Sequence, residues 1–486
     1  MFGLISTKAN ANGAIAPTRS AGAATEEGVQ LSPIEQEILE EHDSLIEMGR
    51  ELAELQRIPT GDRTPEQETR MAELLQAQQQ IREAFQEFLA RPDVEATIAQ
   101  LRQSQRQQTL DLRSIEALQD NLRQLEQEAV LLYPLILEDR LELVLLTADA
   151  PPIRRSINVS QTELNQTVLE FRQALQNPRS NPQTSAQQLY NWLIQPFENE
   201  LEAADADAIL YAPDGVLRYV PLAALHTGEQ WLVENYIVNT ITAASLTDFG
   251  QSPQQPPRVL AAAHTEGSFE VTVGDRSLQL SGFQFAAPEV EAIAELMPDT
   301  TVLLNDEFTP DNLFLQMNDY TIVHIAANVW IVPSGPDDSF ILFGNGDRVS
   351  LSDMRNWNLS NVDLLVLSAC ETGVGETLGS GDEILGFGYT VQRAGARAAI
   401  APLWQVDDFG TKELMVAFYR SLQQGQSYAE ALRQAQLSLI TFESMPAPRQ
   451  LKGIEVGAPV EAPVDRQGRF SHPYYWAPFI LIGNGL

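Results

Sequence analysis

From Arg258 to Ile440 the chain repeats one pattern: a short apolar run, then a longer segment with apolar residues on one helical face. The runs are RVLAAAH, TTVLLND, TIVHIAA, DLLVLSA and ARAAIAPLW. Among and after them come PEVEAIAELM, TPDNLFLQMN, DEILGFGYTVQRAG, GTKELMVAFYRSLQQ and SYAEALRQAQLSLI. Short apolar runs of this kind are strands buried on both faces, and a strand that returns through a helix lies parallel to the one before it. The pattern predicts an α/β fold, a mostly parallel sheet sandwiched by helices. In such sheets functional groups collect at the carboxyl ends of the strands.

Upstream the rhythm is less regular. LILEDRLELVLLTA and IRRSINVS read as paired strands, and QTELNQTVLEFRQALQ and SAQQLYNWLIQPFENELEAA as helices. DAILYAPDGVLRYVPLAAL reads as a strand, a Pro-Asp-Gly turn and a second strand. GQSPQQPPR, residues 250–258, is a linker. Between Ser32 and about Gln127 the chain turns to Glu, Gln, Leu and Arg. Ser32-Pro33-Ile34-Glu35 starts a helix as a capping box with proline at its first position. Its apolar seam is Ile34, Ile38, Leu45, Met48, Leu52 and Leu55, with Glu41 the polar member. Thr64-Pro65-Glu66-Gln67 restarts a second helix with seam Met71, Leu74, Ile81, Phe85 and Phe88, Gln78 being polar. The short IPTGD between them makes the two helices antiparallel neighbours. This hairpin either packs on its own α/β domain or serves self-association and partner docking. The expected organisation is a disordered tail over 1–30, the helical hairpin over 31–130, a first half of the α/β domain over 131–250 and a second half over 251–486.

Charge and cysteine count exclude several functions. With 66 acidic against 31 basic residues and a net charge of −35, the chain offers no basic stripe for nucleic acid or an anionic membrane. No apolar stretch reaches the ~18 residues of a membrane span. The N-terminus does not read as a signal peptide, so a cytoplasmic location is expected. GVGETLGSGDE lacks the GK[ST] end of a phosphate loop, and Asp205 and Asp207 lack calcium-loop spacing. No cofactor and no metal are expected.

The single cysteine, Cys370, ends the strand run DLLVLSA in the stretch VDLLVLSACETGVGE. A thiol there is a nucleophile only if a neighbouring group makes it a thiolate and later returns a proton. The run LSACETGVG…GDEILGFGYTVQRAGARAAIAPLWQVDDFGTKELMVAFYRSL resembles the signature of the CHAT domain, a caspase- and separase-like cysteine-peptidase superfamily, in its bacterial, cyanobacterial type. TIVHIAA, DDSFILFGNGDRVSLSDM and HPYYWAPFILIG fit the same pattern, and YAPDGVLRYVPLAAL is similar to the lead-in half of such domains. The resemblance implies a caspase-like sheet and a Cys/His dyad on adjacent strand ends, with Cys370 as the nucleophile. It also implies a strand ending HxAT-H, the first histidine structural and the second catalytic. Here that segment is His324-Ile325-Ala326-Ala327-Asn328-Val329. His324 matches the first histidine, Asn328 stands at the position of the base, and Ala327 and Val329 also depart from the pattern.

An amide cannot take up and return a proton, whereas positioned acid–base groups contribute roughly 10²–10⁴ in rate. The expected function is therefore that of a degenerate member, a pseudo-protease that binds protein as an adapter or assembly component. The alternative is an active endopeptidase cleaving after basic residues, using Cys370 with His264 or His324 as base. His264 ends the strand RVLAAAH and otherwise reads as a loop histidine before a flexible TEGSF segment. His226 and His472 read as structural loop positions, and His42 lies on the first helix. Asp382 and Glu383 either line a pocket for a basic side chain or are charges at a helix N-terminus. Trp404, Asp407 and Asp408 are read as a wall of the cleft. Partners are expected to be proteins, engaged through the N-terminal helices, or further copies of the chain.

Overall fold

The structure is a computed structural model that describes residues 64–67, 69–71, 73–74, 112–125, 127–242, 256–273, 276–331, 339–351, 353–368, 371–372, 382–441 and 469–486. The tail over 1–30, most of the helical hairpin with its His42, and most of the linker over 250–258 lie outside these residues. Within the hairpin, Thr64 and Gln67 exchange the bonds of a capping box. Gln67 N–H donates to Thr64 Oγ1 at 3.2 Å, and Thr64 N–H donates to Gln67 Oε1 at 2.9 Å.

The first strands are β1 (Ala129–Ile136), β2 (Leu141–Leu146), β3 (Ile153–Ile157), β4 (Ala208–Tyr211) and β5 (Ile237–Thr240). Next come β6 (Val259–Ala263), the hairpin β7 (Ser268–Val273) and β8 (Arg276–Ser281), β9 (Thr300–Leu304) and β10 (Ile322–Ala326). They are followed by β11 (Val329–Ile331), β12 (Phe340–Leu342), β13 (Arg348–Ser350) and β14 (Leu364–Leu367). The last are β15 (Glu371–Thr372), β16 (Ala398–Pro402) and β17 (Phe479–Gly483). The helices that matter here are α1 (Leu112–Arg123), α2 (Gln161–Leu175), α3 (Gln183–Leu193), α4 (Ala286–Leu296), α5 (Pro310–Gln316), α6 (Asp382–Arg393), α7 (Asp408–Gln423) and α8 (Tyr428–Ile440).

Eleven strands form one sheet in the order β3-β2-β1-β4-β5-β17-β16-β14-β10-β6-β9. Five of them, β9, β6, β10, β14 and β16, are mutually parallel, as the alternation of apolar runs and helices requires. Antiparallel pairing is confined to β1–β2–β3 and to β17 against β16. The sheet is buried on both sides. Ile322 and Ala326 of β10 join one core with α4, α7 and α8, and Val323 and Ile325 join a second core with α5 and α6. Leu414, Met415, Phe418 and Leu422 form the buried stripe of α7, each contributing roughly 1.5–3 kcal/mol on burial. Side-chain caps start these helices: Asp407 accepts the Gly410 N–H before α7, and Ser427 accepts the Glu430 N–H before α8.

Two readings of the sequence need correction. The segment after the Pro-Asp-Gly turn is not a strand: Gly215–Tyr219 and Leu222–Ala224 are 3₁₀ turns. Burial of Leu217 and Tyr219 produces the apolar alternation without a ladder, and Pro221 has no N–H to give one. After His264 the loop is only 265–267 long, and the rest of TEGSF is not irregular: Ser268 and Phe269 open β7, paired with β8 from Ser268↔Ser281 to Val273↔Arg276.

Among the described residues the seam between β5 and β17 has one register pair, Ile482↔Thr240, reinforced by Asn239 Nδ2 donating to the Gly483 carbonyl at 2.7 Å. Gly483 has φ +110°, and a Cβ there would meet the Arg397 carbonyl oxygen at 2.5 Å. Gly483→Ala is expected to cost about 1–3 kcal/mol, read as a lower denaturation midpoint with an unchanged m-value. Among the described residues no helix is long and apolar enough to cross a membrane.

Candidate functional site

The carboxyl ends of β6, β10 and β14 lie side by side, because β10 pairs in parallel with both neighbours. His264 follows β6, Ala327 and Asn328 follow β10, and Ser368 follows β14. Cys370 lies outside the described residues, and so does the glycine-rich stretch after Thr372. The described residues on either side of Cys370 are nonetheless informative. Before the strand ends, Ile325 pairs with Leu367; beyond them, β11 pairs in parallel with β15 through Trp330↔Glu371 and Ile331↔Thr372. The chain segments that leave the two strand ends are therefore bound together again immediately downstream. The stretch 326–329 on one side carries one residue more than 368–370 on the other.

Asn328 is buried, and its side-chain Nδ2 donates to the Ser281 carbonyl at 2.9 Å, at the end of β8. The Asn328 carbonyl accepts the Leu342 N–H at 2.9 Å, so this residue joins the hairpin to the small sheet β13-β12-β11-β15. Its amide thus serves as a structural donor at the position where the sequence pattern expects a base.

His324 is fully buried, and both of its ring nitrogens are engaged. Nε2 lies 2.8 Å from Glu289 Oε1 on α4, and Nδ1 lies 3.1 Å from the Tyr419 hydroxyl on α7. A carboxylate accepts, so Nε2 carries the proton and Nδ1 takes the proton of the tyrosine. Burial, reinforced by the Glu289 charge, raises the Tyr419 hydroxyl far above the usual phenol range and keeps it a donor. The trio ties two helices to the central strand. Glu289 escaped the sequence reading, although one signal was present: an acid on the apolar stripe of Ala286, Val290 and Ile293.

His264 is also fully buried, but neither ring nitrogen has a partner among the described residues. It lies one residue beyond the register pair Ala263↔Ala326, on the opposite side of the sheet from His324 by alternation, with its ring 5.4 Å from that of Phe269. Burial lowers its affinity for a proton, and the nearby Glu266 backbone, too poorly placed for a full hydrogen bond, only partly opposes this. The loop that follows is anchored by Asn305, whose Oδ1 accepts the Thr265 N–H at 2.8 Å.

Trp404 is buried in the core, its indole N–H donating to the Tyr474 carbonyl at 3.3 Å. The Asp407 carboxylate caps α7. The backbone of Asp382 and Glu383 starts α6. His226 Nδ1 accepts the Gly228 N–H, and His472 Nδ1 accepts the Tyr474 N–H, both local turn contacts.

Asp408 sits near the strand ends, its Oδ2 accepting the Phe285 N–H at 2.9 Å. Burial first, then the charges of Glu289 and Asp407, raise its pKa from the ordinary 3.8 to about 6 against the pull of the backbone donors. The folded protein therefore holds this proton where the unfolded chain has released it. The contribution to stability is complete below about pH 4 and is lost as pH rises through about 6. Relative to Asp408→Asn, wild-type melting temperature is expected to fall across that window, as a series of thermal scans will show.

A family model described as "CHAT domain" matches residues 183–484. No curated protein matches the chain. Among solved structures it is similar to the Arg-specific cysteine proteinase gingipain R, at 10% identity and TM-score 0.38, over 67% of this chain and 74% of that one. A complex of Porphyromonas gingivalis RgpB pro- and mature domains gives 11% identity and TM-score 0.36, over 67% of this chain and 76% of that one. The Saccharomyces cerevisiae separase–securin complex gives 9% identity and TM-score 0.42, over 76% of this chain but only 30% of that one.

Proposed function

The chain belongs to the CHAT domain family, and on that footing we propose that it is a degenerate member, a pseudo-protease that binds a protein segment without cleaving it. CHAT domains are related to caspase-like cysteine peptidases, so the question is what remains of the chemistry. The observation that carries the proposal is Asn328, whose amide donates to the Ser281 carbonyl. An amide in that role offers no proton acceptor to a thiol and no proton to a leaving amine. His324, held by Glu289 and Tyr419, has no free nitrogen to substitute. In this reading Cys370 is a nucleophile position without a base, and the protein acts as an adapter or assembly component, the acidic N-terminal helices providing a contact surface.

A second reading is favoured by one observation: the two ring nitrogens of His264 have no hydrogen-bond partner among the described residues. A neutral imidazole is what a general base requires, and burial keeps it neutral. In that reading Cys370 works with His264, and Asp382 and Glu383 at the start of α6 favour a basic side chain in the substrate. Incubation with Arg- and Lys-containing peptides separates the two. Cleavage by the wild type that disappears in both Cys370→Ala and His264→Ala would sink the pseudo-protease proposal.

A further inference from the structure

Beneath the strand ends, between α4 and α7, lies a cavity of about 10 Å³ lined in part by Ala326, Ser368, Glu289, Asp408 and Thr411. Ser368 and Thr411 are 1% and 4% exposed, and neither hydroxyl oxygen has a hydrogen-bond partner among the described residues. Buried hydroxyls are almost always satisfied by protein or by ordered water. A space of about 10–15 Å³ is what one water needs, provided two to four polar groups face it. Two hydroxyls and two carboxylates line this one, whereas an empty cavity is normally apolar throughout.

We infer that the cavity holds a single ordered water bridging Ser368 Oγ, Thr411 Oγ1 and the Asp408 carboxylate. The water donates to the carboxylate, and the two hydroxyls complete its coordination. It clasps the first turns of α7 to the end of β14, the strand from which the chain proceeds through Ala369 to Cys370. This clasp is independent of the pseudo-protease reading, since it serves either an active or an inactive cleft.

Two measurements test it on the full chain. A crystal structure of the wild type is expected to show one isolated oxygen peak within about 2.6–3.2 Å of both hydroxyls. Thr411→Val keeps the side-chain shape and removes the hydroxyl. It is expected to lower the melting temperature by about 2–4 °C if a bridging water is stranded. If the cavity is dry, the same substitution removes an unsatisfied hydroxyl and the melting temperature rises, which overturns the inference. An empty site in the wild-type density overturns it as well. So does an anomalous peak there after soaking in rubidium chloride, which would assign the site to a monovalent cation. If Thr411→Val does not fold, the wild-type density and the rubidium soak decide the matter alone.

Discussion

Asn328→His is expected to cleave Arg- or Lys-containing peptides at roughly 10²–10⁴ times the wild-type rate, the range that a positioned acid–base group contributes. Without such a group a cysteine of ordinary pKa ~8.5 is only a few per cent thiolate near neutrality. It also lacks a proton for the departing amine. The gain should vanish in Asn328→His combined with Cys370→Ala, which ties it to the thiol. One feature limits its size: the wild-type side chain is directed at the Ser281 carbonyl, so an imidazole must give up that contact to reach the cleft. A His variant that folds and melts like wild type, yet cleaves no faster, would remove the argument built on this position.

His324→Ala leaves Glu289 and the Tyr419 hydroxyl buried, 2% and 0% exposed, without the imidazole between them. Each buried polar group left without its partner costs about 1–3 kcal/mol, more for a carboxylate, and two are left here, so a loss of about 3–5 kcal/mol is expected. That corresponds to a fall in melting temperature on the order of 10 °C for a domain of this size. Removing both partners, His324→Leu with Glu289→Leu, should restore more than half of the loss, since replacing both partners of a buried hydrogen bond with apolar side chains is often near neutral. If the double variant melts no higher than the single, the loss comes from packing rather than from the orphaned carboxylate. Thermal melts of the three proteins decide it.

The parallel half of the sheet was legible because its signal is local: each strand is a short apolar run and each helix has its own stripe. The hairpin of β7 and β8 carried a local signal too, with Phe269, Val271 and Val273 alternating before Gly274-Asp275 and Leu278 and Leu280 after it. Only its opening reads as flexible, because Thr265, Glu266, Gly267 and Ser268 put four small or polar residues before Phe269. DGVLRYVP misled in the opposite direction, since one-sided burial of a 3₁₀ turn imitates the alternation of a strand. At the candidate site, Asn328 could be singled out by its place after His324 in the chain. Its acceptor Ser281 could not, being 47 residues away on a hairpin that tertiary packing positions. The same holds for Glu289, His324 and Tyr419, which come from two helices and a strand. No periodicity within one segment announces such a trio.

The position of β17 in the sheet has a consequence for how the protein is made. Five strands lie on each side of it, yet it follows all of them in the chain. On the ribosome, domains tend to form from the N-terminus onward. β5 and β16 are therefore synthesised well before Phe479–Gly483, and each waits with one edge unpaired. Bare strand edges are templates for pairing with other chains. The nascent protein is thus two incomplete sheets in need of a keystone, and its most vulnerable interval is the one between the synthesis of Ala398 and that of Gly483.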